Sequence, residues 1–256
     1  MVNTYTILMA DYLLVLAVQV AASIQDLRTR EISDWTWIIG SIMCVPLDLY
    51  VVIMLNQLIL YIVSVVVGSV FALAVYWLRA MGGADSKSIA FISASIPTLP
   101  MATPPALTII NITPLSILIN SLIIALVLYI PYNVIQNIRY GSNCEALVRV
   151  KGLSKLIYLL TLMCVPAHKV LRNPNNYAIS QVLTEDGFQP IIRLGLDVDD
   201  PRELLIEWLS KGGKISIGTP PVLTSYHIPF IVPITLGLVV YVLTHVNVLT
   251  LILAAL

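Results

Sequence analysis

The chain has 256 residues, of which 58% are hydrophobic and 11% charged, and its formal net charge is +0. With a mean hydropathy of +0.91 it is excluded from the ordinary soluble domains, in which about a quarter of residues are charged. No basic stripe interleaved with aromatics points to a nucleic acid. Cys44, Cys144 and Cys164, and His168, His227 and His245, are scattered, so neither a zinc site nor a disulfide framework is expected and the thiols read as buried or free.

A bilayer core of about 30 Å needs about 20 apolar residues per helix. In chain order the candidates are Tyr5–Gln25, Trp35–Leu55, Leu58–Leu78, a shorter Ser88–Leu99, Pro114–Tyr132 and Ile228–Leu253. The first lacks a basic leader and a small-residue cleavage site, so it reads as a retained span and not as a cleaved signal peptide. The fourth suits a short or partly re-entrant helix and is followed by Pro100, Pro104 and Pro105. The fold class expected is an all-α polytopic membrane protein, with about six transmembrane helices and a small cytoplasmic α/β insertion before the last.

Charge supports that count. With six spans and the N-terminus outside, the cytoplasmic segments are about 26–34, 79–87 and 133–227. All 14 Lys and Arg residues fall within them: Arg28, Arg30, Arg79, Lys87 and the ten from Arg139 to Lys214. Omitting the fourth span would put those ten outside, against the positive-inside rule. The chain therefore divides into 1–133 (membrane), 134–227 (insertion) and 228–256 (last span). In the insertion, Leu156–Val165 is flanked by Lys151, Lys155, Lys169 and Arg172, is too short to span, and is expected to lie along the membrane surface. Beyond it, Gln189–Val198 and Lys214–Ile217 read as strands around a helix that begins at Asp200-Pro201 and ends at Gly212-Gly213.

Two polar breaks carry the chemistry. Asp26 closes the first apolar run in Ile24-Gln25-Asp26-Leu27-Arg28, and Asp85 lies in Gly82-Gly83-Ala84-Asp85-Ser86-Lys87 after the third. Two complete spans separate them, so the chain returns to the face it left and both sit at the cytoplasmic edge. Carboxylates at a bilayer edge are functional candidates by default. A facing pair shares a proton, one member acting as general base on water and the other as general acid. Gly82 and Gly83 would permit φ > 0 and close approach of a substrate. As simpler structural readings, Asp85-Ser86 would cap the next helix and Asp34 the second span. Arg30 and Glu31 read as solvated loop charges, and Lys87 and Arg28 as supporting residues or positive-inside anchors.

Asp26-Leu27-Arg28-Thr29-Arg30-Glu31-Ile32-Ser33-Asp34 after a first span, then Gly82-Gly83-Ala84-Asp85-Ser86-Lys87 after a third, resembles the type IV prepilin peptidase family of GxGD-type membrane aspartyl proteases. Thr219-Pro220-Pro221 and Ile228-Pro229-Phe230-Ile231-Val232-Pro233 resemble its archaeal preflagellin peptidase branch. The resemblance implies catalytic Asp26 and Asp85, a supporting loop of Gly82, Gly83, Ala84, Lys87 and Arg28, and no metal or cofactor. It also implies preflagellin or prepilin substrates cut at the cytoplasmic membrane edge, with membrane lipids as the other partner. Ala84 stands where the strict motif has glycine, and the tetracysteine zinc region of many bacterial members is missing.

Asp11 lies 15 residues before Asp26, about 22 Å along one helix. Asp48 is at similar height in the second span, so neither can join the dyad. They could bond Asn56, Gln57 or each other. They also motivate the rival reading, a small ion- or proton-coupled transporter, although their place at two edges fits a mid-membrane relay poorly.

Overall fold

In the computed structural model the residues described are 4–78, 81–96, 112–173, 176–184, 187–190, 221–245 and 247–248. They form two compact units, 1–125 with 229–256, and 126–228.

The first unit is a helical bundle. α1 (Thr4–Thr29), α2 (Asp34–Met54), α3 (Leu58–Trp77) and α5 (Thr113–Tyr140) are long and apolar enough to cross a membrane. α4 (Gly83–Ser95) and α9 (Ile231–Thr244) are apolar but only 13 and 14 residues long. α1 runs past Gln25, which puts Asp26 in its last turn and not beyond it. α2 starts at Asp34, with Ser33 in the N-cap place, so Asp34 acts on the helix dipole from the first turn and is not the cap that the sequence suggested.

α4 is short but central. Ile89, Phe91 and Ile92 are buried with Val15, Ala22, Trp37, Ile117, Ile234 and Leu238 in one cluster, so flanking helices shield it from lipid. Phe91 stacks against Trp37 at 5.7 Å between ring centroids. In lipid the hydrophobic effect does not hold helices together, so close approach and interhelical hydrogen bonds must. Gly68 of α3 admits Ser93 of α4, whose Oγ would lie 1.8 Å from an added Cβ. Ser88 donates to Gln19 at 3.0 Å and Tyr61 to the Ala94 carbonyl at 2.6 Å. Ser23 bonds Thr235 at 2.7 Å and Thr113 bonds Tyr241 at 2.9 Å, tying α1 and α5 to α9.

The second unit contains short helices α6 (Glu145–Val148), α7 (Leu153–Thr161) and α8 (Ala167–Arg172). Its sheet is antiparallel in the order β1 (Met163–Pro166), β5 (Pro221–Tyr226), β2 (Tyr177–Ile179), with Met163 and Ile179 both opposite Thr224. β3 (Gln181–Thr184) and β4 (Gly187–Pro190) form a separate hairpin. The strand expected over 189–198 thus begins inside β4. Its remainder, the 200–213 helix and the 214–217 strand lie outside the described residues.

The thiols correct the sequence reading. Cys144 and Cys164, 20 residues apart, form a disulfide, and Cys44 alone is free. The 3-10 turn at Gly141–Asn143 and the start of β1 bring the two sulfurs together, a proximity that spacing does not reveal.

Candidate active site

Asp26 lies beside the start of α9. One turn earlier, Ser23 bonds Thr235, whose hydroxyl also donates to the Ile231 carbonyl at 2.9 Å. α9 starts just there: the Val232 and Ile234 amides turn back to Pro229 and Phe230, while the Ile231 amide lies near the Asp26 carboxyl. That amide is one of the donors a helix start leaves without an internal partner, and it lies at the positive end of the dipole. Asp26 is buried, and among the described residues its Oδ2 has no hydrogen-bond partner.

Asp85 is the third residue of α4. Its Oδ2 accepts the Gly82 N–H at 3.2 Å, and Ser86 closes the same turn through its amide and hydroxyl on the Gly82 carbonyl. Asp85 lies ahead of the apolar part of α4, outside the four long spans. Burial pushes its carboxyl up to about 7, and the negative charge of Asp26 pushes the same way. The Gly82 N–H and Arg30 oppose the rise. The fold thus brings Asp26 and Asp85 within electrostatic reach at one end of the bundle.

The motif glycines work differently from the expectation. Gly82 has φ −65° and ψ 156°, ordinary extended backbone, and Gly152 is the only described glycine with positive φ. At 82 an added Cβ would lie 3.3 Å from Asp85 Oδ2, so that carboxylate would have to shift by a few tenths of an ångström. Gly83 is the first residue of α4, and its Cβ would meet the Tyr76 ring at 3.5 Å. Ala84 is helical, a conformation alanine favours, so the departure from the strict motif strains nothing.

Arg30 is not the solvated loop charge that the sequence suggested. It is partly buried, has φ 61° and donates its amide to the Asp26 carbonyl, and its charge acts on both carboxylates. Lys87 pairs with Asp34 at 2.5 Å, both ends well exposed. Such a pair contributes at most about 1 kcal/mol. Arg28 is exposed. Gln25 braces the α1–α2 turn through Thr36 and the Ser33 amide. Beside Asp85, an open groove runs between α3 and α4, lined by Ser69, Ala72, Leu73 and Tyr76 on one wall and Gly83, Ser86, Lys87 and Ala90 on the other.

Asp11 and Asp48 stand apart from this site. Both are fully buried, and their carboxyl groups approach each other without a well-formed hydrogen bond. Neither bonds Asn56 or Gln57. Among the described residues no group of three or more His, Cys, Asp or Glu could hold a metal ion.

Sequence reasoning passed over the Ile231 amide, the Ser23–Thr235 bond and the role of Arg30. Pro229 and Pro233 around the start of α9 were the available signal, since proline marks a helix start.

These features define a class: a polytopic helical membrane protein with a paired-carboxyl site at one end of its bundle. Residues 13–130, the stretch holding both aspartates, match the type IV leader peptidase family. That match supports a relationship to the prepilin and preflagellin peptidases. No curated protein sequence matches it.

Proposed function

We propose that the protein is a membrane aspartic endopeptidase that removes the leader of preflagellins or prepilins at the cytoplasmic membrane edge. The observation that carries this is the meeting of Asp26 and Asp85, within a segment that matches the leader peptidases. One carboxylate takes a proton from water as the oxygen attacks the scissile carbonyl. The other, protonated, donates to the departing amide nitrogen, and the pair ends with its shared proton restored. Burial keeps the proton on Asp85, and Asp26 takes the part of the base. The α3–α4 groove offers the substrate's apolar helix a place beside the dyad, with Gly82 and Gly83 keeping the approach open.

Six crossings, the outside N-terminus, the division at 133 and 227, and a cytoplasmic site belong to the same proposal. The distribution of Lys and Arg supports them, with α4 and α9 as the two short crossings. The basic segment ahead of a leader's apolar helix would then meet the cytoplasmic face where the dyad stands.

The test is in vitro processing of a preflagellin by membranes carrying wild type, Asp26→Asn or Asp85→Asn. Cleavage by wild type alone, with a new N-terminus on the cytoplasmic side of the apolar helix, is expected. Either single mutant cutting at the wild-type rate rules the dyad out. A second reading, an ion- or proton-coupled transporter, is favoured by the buried Asp11–Asp48 pair. It requires proton flux that Asp11→Asn and Asp48→Asn abolish, together with intact preflagellin in every assay.

A further inference from the structure

The helix α7 presents an apolar face that the second unit does not use. Leu153, Leu156, Ile157 and Leu160 recur at i, i+3, i+4 and i+7, one stripe of a helix. Leu153, Leu156 and Ile157 are 74%, 52% and 46% exposed. The opposite face is fixed: Tyr158 and Leu159 pack against Cys144, Leu147, Leu162 and Leu223. The far end is pinned too, since Asn133 donates to the Leu160 carbonyl at 2.8 Å and Asn137 to those of Leu159 and Leu162 at 3.1 and 2.7 Å. The outward stripe is thus set by packing and is not a frayed segment.

Charge around the helix is one-sided. From Ala146 to Thr184 there is no Asp or Glu, while Arg149, Lys151, Lys155, Lys169 and Arg172 fall in that stretch. The start of α7 has Gly152 as N-cap, no side-chain cap and no acidic residue in its first turn. Lys155 sits there instead, at the positive end of the dipole, where a carboxylate would normally be favourable. An isolated soluble helix would gain nothing from this arrangement. An apolar stripe that begins at lysines and uncapped amides, on nine residues too short to span, suits a surface of acyl chains edged by phosphates.

We infer that α7 is an in-plane anchor for anionic lipid. Leu153, Leu156, Ile157 and Leu160 enter the acyl boundary, and Lys151 and Lys155 meet the phosphate headgroups. This holds whatever chemistry Asp26 and Asp85 perform.

The experiment uses the full chain in vesicles of phosphatidylcholine, alone or with added phosphatidylglycerol. Spin labels go on Leu156→Cys, Ile157→Cys and Ser154→Cys; Cys44 is buried and Cys144–Cys164 bonded, so the new thiol takes the label. With phosphatidylglycerol, labels at 156 and 157 should respond to oxygen more than to a water-soluble nickel chelate, and the label at 154 the reverse. Each lysine near an anionic surface favours docking by about fivefold, so Lys151→Gln with Lys155→Gln should lower the docked-to-undocked ratio by about thirtyfold. Labels at 156 and 157 as open to the nickel chelate as that at 154, in both vesicles, would overturn the anchor. Equal depth with and without phosphatidylglycerol would overturn its preference for anionic lipid.

Discussion

Gly237 is where α9 leans on α5, and Gly237→Ala tests whether that contact sets the position of the Asp26 brace. An added Cβ would lie 2.7 Å from the Ile117 carbonyl oxygen, 2.8 Å from the Ser121 nitrogen and 2.3 Å from Ser121 Oγ. The first two atoms are backbone and cannot rotate away. Restoring ordinary contact at 3.4 Å requires α9 to retreat by roughly 0.7 Å, a displacement that overpacked cores resist at about 1–3 kcal/mol. Two fixed obstacles place the cost in the upper half of that range. Alanine's better helix propensity returns about 1 kcal/mol, so a net loss of about 1–2 kcal/mol remains. For a chain of this size that is a fall of about 2–8 °C in Tm. Labelling of the buried thiol of Cys44 on heating in detergent reports it. Because the same helix carries the Ile231 amide, processing activity should fall below the melting range as well. Adding Ser121→Ala removes only the hydroxyl obstacle, so it should recover less than half of the loss. A Gly237→Ala variant that melts at or above wild type would refute the reasoning, and full recovery by Ser121→Ala would move the obstacle from backbone to side chain.

Three further outcomes follow from the site and its surroundings. Burial, then the charge of Asp26, raises Asp85 to about 7, so the proton needed for general acid catalysis is present below that pH and lost above it. kcat/KM for leader cleavage should fall about tenfold per pH unit on the alkaline side, and a level profile from pH 6 to 9 would rule out Asp85 as the acid. Arg30 pulls against that rise, so Arg30→Gln should move the alkaline limb to higher pH, by up to about one unit; a downward move would contradict the placement of Arg30. Reduction of Cys144–Cys164 opens a loop whose closure contributes about 3 kcal/mol, which limited proteolysis of the second unit should register. Alkylation in intact cells, read by mass before and after reduction, reports whether the pair is bonded there. A reducing cytoplasm would keep it open, so a fully bonded pair would argue against the cytoplasmic placement.

Much of this protein was legible without coordinates. Apolar runs of about 20 residues specify helices in lipid because every backbone polar group must be satisfied within its own segment. The extents of α2 and α3 accordingly fall within a residue of the apolar runs. Asp26 and Asp85 stood out because charge is costly at such boundaries. The Lys and Arg bias spoke to orientation for a similar reason. All of these are one-dimensional constraints, imposed by the bilayer on each segment separately.

What the bilayer does not impose, packing had to decide. Only the bundle turns the Ile231 amide and the Arg30 charge toward Asp26 and brings the influence of Asp26 to Asp85. What an added side chain at 82 would meet is the Asp85 carboxylate, with no strained dihedral angle involved. The same is true of Asp11 against Asp48 and of Cys144 against Cys164, where residues far apart in the chain become neighbours. Side chains that meet across helices leave no period or spacing in the sequence, because the contact depends on how two helix faces rotate against each other. That rotation is set by Gly68, Gly237 and the buried serines and threonines acting together.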